Sequence, residues 1–202
     1  NNPTGTIFSK SEFNDFYKKV PDHVLIILDE AYYEFAKHDP LYPDSLNYRY
    51  DNVITLRTFS KAYGLAGLRI GMGIGAENLI NELHKARLPF EPNMIAQVAA
   101  LEALRDNDYL ERTIKYNAQN RDRLKLLLEN HFQQETIPSY ANFIMMDMGS
   151  ATKVNETYQN LLKLGVIIRG LDSFGWPTCL RVSVGTNEEL DFFEDALKKL
   201  QK

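Results

Sequence analysis

Two short runs, residues 24–28 and 52–56, are apolar without polar alternation. That pattern predicts strands covered on both faces, as in a parallel sheet. Residues 68–74 read as a third short strand, with glycines where another backbone must come close. Between them, residues 34–50 hold aromatics and prolines with no clear period and predict a long irregular loop. Helical spacing governs most of the remainder. Ser9 and Glu12 form a capping box ahead of Phe13, Phe16, Tyr17 and Val20, which predicts a helix over 10–20. Leu79, Ile80 and Leu83 mark a helix broken by Pro89 and Pro92, and 93–104 is another. A long helix opens at Asp108 and Glu111 and runs to about residue 130, with Leu110, Ile114, Asn117, Arg121, Leu124, Leu127 and Leu128 down one side. For Asn117 and Arg121, solvent contact is expected over burial.

Beyond Pro138 the pattern is that of a smaller α+β unit. Strands are expected at 142–147, 166–169 and 180–184, and a helix over 152–164 ended by Gly165. A final amphipathic helix is capped by Thr186 and Glu189 and carries Leu190, Phe193, Leu197 and Leu200. The expected fold class is α/β, with residues 1–107 as part of a large sheet domain, 108–137 as a connecting helix and 138–202 as a small α+β domain.

Composition narrows the function classes. The chain is 44% hydrophobic and 25% charged, ordinary for a globular protein, and its net charge of −4 gives no basic field for nucleic acid. No apolar run is long enough to span a bilayer. One cysteine, Cys179, makes no disulfide framework, four scattered histidines have no zinc spacing, and a reducing cytosol is expected. Cys179 itself reads as a small buried apolar residue. The chain opens on Asn2-Pro3-Thr4-Gly5, a turn by composition with no preceding element, which is expected of a stretch from the middle of a longer protein.

The candidate chemistry lies at the strand ends. In open α/β sheets the carboxyl ends of strands face the ligand crevice, which places Asp29 and Tyr32 after the first strand and Thr58, Ser60 and Lys61 after the second. Asp29 could equally cap the segment that follows it. Arg69 comes eight residues after Lys61. A carboxylate, a tyrosine, hydroxyls beside a lysine, and an arginine suit a carbonyl cofactor that is also a phosphate monoester. A lysine amine forms a Schiff base with an aldehyde, and Thr58, Ser60 and Arg69 would hold the phosphate. Asp29 would pair with a pyridinium nitrogen, and Asn2 and Tyr32 with the phenolic oxygen. These are the requirements of pyridoxal phosphate. Tyr63 and Trp176 read as packing residues.

Asn2-Pro3-Thr4-Gly5, Asp29-Glu30-Ala31-Tyr32, and Ser60-Lys61 followed by Gly67-Leu68-Arg69-Ile70-Gly71 stand in an order and spacing that resembles the fold-type I pyridoxal-phosphate aminotransferases. The longer version around Tyr33-Glu34-Phe35 and Arg57-Thr58-Phe59 is most similar to the histidinol-phosphate aminotransferases, and the resemblance extends through Asn142-Phe143 and Arg181-Val182-Ser183-Val184-Gly185. It implies that Lys61 is the Schiff-base lysine and later the proton carrier. Asp29 is the pyridinium partner, Tyr32 and Asn2 hold the ring oxygen, and Thr58, Ser60 and Arg69 hold the cofactor phosphate. It also implies that Arg181 binds the acidic end of the substrate, with Arg169 as a second ligand or a surface arginine at a sheet edge. The implied reaction is transamination between histidinol phosphate and 2-oxoglutarate in histidine biosynthesis, by a cytoplasmic homodimer of which this chain is the carboxyl-terminal portion. An aromatic amino-acid aminotransferase, a threonine-phosphate decarboxylase and a catalytically silent relative stay open as alternatives. Intact Lys61 and Asp29 speak against the last.

Overall fold

The computed structural model describes residues 1–48 and 51–200. The chain forms two compact units, one of Phe8–Ile114 and one of Asn1–Ile7 with Lys115–Lys202.

The Phe8–Ile114 unit is built on a three-stranded sheet of β1 (Ile26–Asp29), β2 (Val53–Thr58) and β3 (Gly71–Gly75), in that spatial order. β1 and β2 are parallel, with Asp29 opposite Leu56, and β3 returns antiparallel with Gly71 opposite Thr58. The first helix, α1 (Lys10–Tyr17), starts on the expected box: Ser9 Oγ accepts from the Glu12 N–H and the Glu12 carboxylate accepts from the Ser9 N–H at 2.7 Å. It stops short of residue 20 because the Lys19 and Val20 amides turn back three residues, to Phe16 and Tyr17. Its Phe13 packs with Ile26, Leu28 and Val53 in one buried cluster. Coverage of both faces is not what β1 shows. Ile26 and Leu28 are buried while Ile27, pointing the other way, is 62% exposed. A continuous apolar run carries no sign of which face packs, and β1 is an outer strand of this sheet.

The segment expected as irregular contains a short helix, α2 (Tyr33–Ala36), and a 3₁₀ turn at Ser45–Asn47 whose first amides are met by Asp44. The last two positions of that expectation, 49 and 50, lie outside the described residues. α3 (Glu77–Lys85) and α4 (Met94–Arg105) follow, the latter capped by Asn93 Oδ1 accepting from the Ala96 N–H at 2.9 Å. α5 (Asn107–Phe132) contributes Leu110 and Ile114 to a buried cluster with Ala62 in this unit.

In the second unit, β4 (Phe143–Asp147), β5 (Arg169–Leu171) and β6 (Trp176–Ser183) form an antiparallel sheet in the order β4-β6-β5. α6 (Ala151–Lys163), α7 (Asn187–Leu200) and the later turns of α5 join Leu124, Leu128, Ile144, Met146, Leu161, Leu180, Leu190 and Phe193 in one core. Gly165, at φ +84°, turns the chain out of α6 as expected. β5 starts later than the sequence pattern indicates, since the Gly165 and Val166 amides still bond back to Leu162 and Leu161, and β6 starts earlier, directly after the bend at Gly175, φ +80°. Asn117 is buried rather than solvated, donating to the Ala141 carbonyl at 3.3 Å. The opening turn belongs here too: Gly5, at φ +79°, donates its N–H to Asn1 and accepts from Tyr140, each at 2.8 Å. Among the described residues no helix is long and apolar enough to cross a membrane, and no group of three or more His, Cys, Asp or Glu is placed to hold a metal.

Candidate active site

Strand alternation sorts the residues at the carboxyl ends of β1 and β2 onto two faces. Asp29, Leu56 and Thr58 share the front, whereas Glu30, Thr55 and Arg57 share the back. On the front, the Asp29 carboxylate is exposed and accepts from the Ala31 N–H at 2.9 Å. Part of its role is thus the local turn that the sequence left open. Thr58 Oγ1 accepts from the Ser60 N–H at 3.1 Å, which folds the chain back directly after β2. Lys61 sits on that turn with its amine exposed, while its neighbours Phe59 and Ala62 are almost completely buried. Two buried anchors therefore fix a turn whose functional group is free to meet a ligand. The Lys61 Nζ lies 5.4 Å from the centre of the Tyr32 ring.

Arg69 takes a left-handed conformation, φ +54°, and donates to the Ala66 carbonyl at 2.8 Å. A residue with a Cβ pays about 1–2 kcal/mol to sit there, and such strain clusters at ligand sites. Of the glycines around it, Gly71 meets the expected close approach: a Cβ there would lie 2.7 Å from the Arg57 carbonyl oxygen, whereas Gly67 faces open space.

Behind this face is a network that the sequence reading did not single out. The Glu30 carboxylate, 2% exposed, accepts from Arg57 Nε at 2.9 Å and Nη2 at 2.8 Å. The same Nη2 donates to Asp44 Oδ1 at 2.8 Å, and the guanidinium lies 3.6 Å from the centre of the Tyr33 ring. Burial pushes the Glu30 carboxyl above its ordinary range, against the pull of the Arg57 charge. Glu34 is also buried, and burial raises it in the same direction. A signal was present in the chain: a glutamate directly after an apolar strand, and an arginine inside the next one.

The second unit holds the remaining predicted residues. Arg169 and Arg181 are cross-strand partners in the β5–β6 ladder. Arg181 donates through Nη1 to Asn2 Oδ1, and its guanidinium lies 4.7 Å from the centre of the Phe143 ring. That of Arg169 lies 5.1 Å from the Phe174 ring centre. Like charges directly opposite in a sheet are destabilising unless an anion lies between or beside them. The structure thus gathers Asp29, Tyr32, Thr58, Ser60, Lys61 and Arg69 in one unit, and Asn2, Arg169 and Arg181 in the other. Tyr63 packs, with its ring 5.0 Å from that of Phe59. Trp176 is 44% exposed, so the packing expectation does not hold for it. Cys179 is buried as expected, and burial pushes its thiol up and away from reactivity.

Known proteins match nearly the whole chain. Residues 1–197 match the family described as aminotransferase class I and II. A histidinol-phosphate aminotransferase of Geobacillus sp. strain WCH70 is 43% identical over 204 residues, covering all of this chain and 55% of that protein. One from Akkermansia muciniphila is 44% identical, covering 93% of this chain and 50% of its own length. In three dimensions the chain is similar to the histidinol-phosphate aminotransferase of Sinorhizobium meliloti, solved in complex with pyridoxal-5'-phosphate. That match has a TM-score of 0.88 at 32% identity and covers 98% of this chain and 55% of that one. The chain therefore spans about half the length of the curated relatives it matches. On the match from residue 1 to residue 197, it belongs to the aminotransferase class I and II family.

Proposed function

We propose that this chain is part of a pyridoxal-phosphate-dependent enzyme that moves an amino group between histidinol phosphate and 2-oxoglutarate in histidine biosynthesis. The observation that carries the reading is the turn after β2. An exposed lysine amine is held there beside a tyrosine ring, on the sheet face that also bears Asp29 and Thr58. This donor set fits the cofactor: an amine for its aldehyde, a carboxylate for its ring nitrogen, and hydroxyls with an arginine for its phosphate. The cofactor, when bound, supplies an electron sink for the bonds at the amino-bearing carbon of the substrate.

Everything else falls to the chain's own groups. Lys61 Nζ holds the cofactor and afterwards carries the proton to and from the substrate carbon. Asp29 keeps a proton on the ring nitrogen, so that the ring stays electron-poor. The Tyr32 hydroxyl and the Asn2 side chain bind the ring oxygen, and Thr58, Ser60 and Arg69 bind the cofactor phosphate. Arg181 and Arg169 take the acidic end of the substrate, a phosphate in one half of the reaction and a carboxylate in the other. Their opposition in the β5–β6 ladder supports this, since an anion relieves the repulsion. The sequence resemblance extends the reading to a cytoplasmic homodimer, with residues 1–107 in the large domain, 108–137 connecting and 138–202 in the small domain.

Borohydride trapping tests the proposal directly. The product of the complete reading frame, reduced in the presence of pyridoxal phosphate and digested, is expected to carry the label on Lys61. It should also turn over histidinol phosphate in preference to phenylalanine or threonine phosphate. Folded protein labelled at another lysine, or at none, overturns the cofactor assignment, and a preference for phenylalanine or threonine phosphate overturns the substrate.

A further inference from the structure

We infer that Arg57 is a positioning residue, its guanidinium setting from the back of the sheet the places of the cofactor-holding side chains on the front. The inference rests on the function proposed above. Three groups grip that guanidinium or carry it, and each is the immediate chain neighbour of a front residue. Glu30, bonded at 2.9 and 2.8 Å, follows Asp29. Tyr33, stacked at 3.6 Å, follows Tyr32. Arg57 itself precedes Thr58, whose hydroxyl turns the chain toward Lys61. Backbone bonds at the same places tighten the link: the Glu30 N–H donates to Leu56 at 2.8 Å, and the Tyr33 N–H to Glu30 at 3.0 Å. One planar cation thereby fixes the spacing of the end of β1, the start of α2 and the end of β2. A third contact of the guanidinium, Asp44, ties in the Ser45–Asn47 turn.

Only arginine fits this task. Its rigid fork serves two carboxylates while its face lies on an aromatic ring, and a lysine ammonium, a point charge on a flexible stem, cannot do both. Stability alone is a weak reason for the arrangement, because an apolar set of similar volume commonly replaces a buried ion pair without loss. What an apolar set does not reproduce is directional bonding to both strand ends.

The test compares Arg57→Lys, Asp44→Asn and the double variant Glu30→Met/Arg57→Met in the complete protein. Pyridoxal phosphate affinity is read by fluorescence titration, the pH dependence of bound-cofactor absorbance by titration, and the melting midpoint by scanning without cofactor. Arg57→Lys is expected to weaken cofactor binding about tenfold or more, the scale on which outer partners of a bound group act. The absorbance titration should shift as Asp29 moves relative to the ring nitrogen. The double variant removes both members of the buried pair, so neither charge is left without its partner, and it is expected to keep a melting midpoint near the parent's while losing affinity. Asp44→Asn removes only the charge of the half-exposed partner and is expected to weaken binding less than Arg57→Lys does. Affinity that rises and falls together with the midpoint across the three variants, or an Arg57→Lys protein that binds as the parent does, overturns the inference. Failure of the parent itself to take up pyridoxal phosphate at Lys61 strikes instead at the proposed function.

Discussion

The glycine after Arg69-Ile70 offers the sharpest check on how the Lys61 turn is held. An alanine Cβ at Gly71 would sit 2.7 Å from the Arg57 carbonyl oxygen and 3.6 Å from the Thr58 Cα, where ordinary contact begins at 3.4 Å. The shortfall, 3.4 less 2.7, is 0.7 Å, and the obstacle is backbone that cannot rotate aside. β3 must therefore draw away from β2 at the pair Thr58–Gly71. Overpacking of this kind costs about 1–3 kcal/mol. In a chain of this length each kcal/mol moves the melting midpoint by about 2–4 °C, so Gly71→Ala is expected to melt roughly 2–12 °C lower. Gly67 is the internal control. It faces open space and has no positive φ, so Gly67→Ala should be neutral or gain about 0.4–1 kcal/mol by restricting the unfolded chain. Scanning calorimetry of both variants beside the parent decides the matter. A Gly71→Ala protein that melts with the parent, or a Gly67→Ala protein damaged as much, would refute the close-approach argument.

Two further predictions concern the interior of each unit. Burial holds the Glu34 carboxyl above its ordinary range, and its Oε2 finds no hydrogen-bond partner among the described residues. A carboxyl raised by folding binds more protons in the folded chain than in the unfolded one. Its contribution is therefore full below the unfolded value of about 4.3 and is lost as pH rises through the folded value. Glu34→Gln should thus be more stable than the parent at neutral pH and lose that advantage as pH falls to about 4, and urea melts that differ equally at both pH values would refute this. In the second unit, Leu128 is wholly buried and Leu126 on the same helix is 59% exposed. Leu128→Ala should cost about 2–5 kcal/mol and Leu126→Ala within about 0.5 kcal/mol, so equal shifts in denaturant midpoint would contradict the core assignment.

What the sequence made legible follows from which physics is local. Capping boxes, glycine stops and helical periods depend on near neighbours, and so α1, α6 and α7 begin or end close to their expected places. The strand runs were legible as strands, yet their cover was not. Val24 to Leu28 reads the same whether one face or two are packed, and Ile27 proves to be exposed. The front-face residues were visible because each pairs a chemical group with a strand end. Glu30 and Arg57 do not stand out in the sequence, for the opposite reason. Each is ordinary in isolation, and their meaning lies in a pairing across 27 positions of sequence. The burial of Asn117 is hidden in a similar way, since its partner, the Ala141 carbonyl, is 24 positions distant.

The neighbouring carboxylates Asp29 and Glu30 also set a limit on how this chain can vary. Their fates are opposite, one exposed and one sealed against a guanidinium, and only odd or even position along β1 assigns them. A single residue added or removed within β1 would exchange the two, sending the shorter side chain to the arginine and the longer one to the open face. The same holds for Arg57 and Thr58 in β2. Within either strand, therefore, even a chemically silent insertion acts as a double mutation.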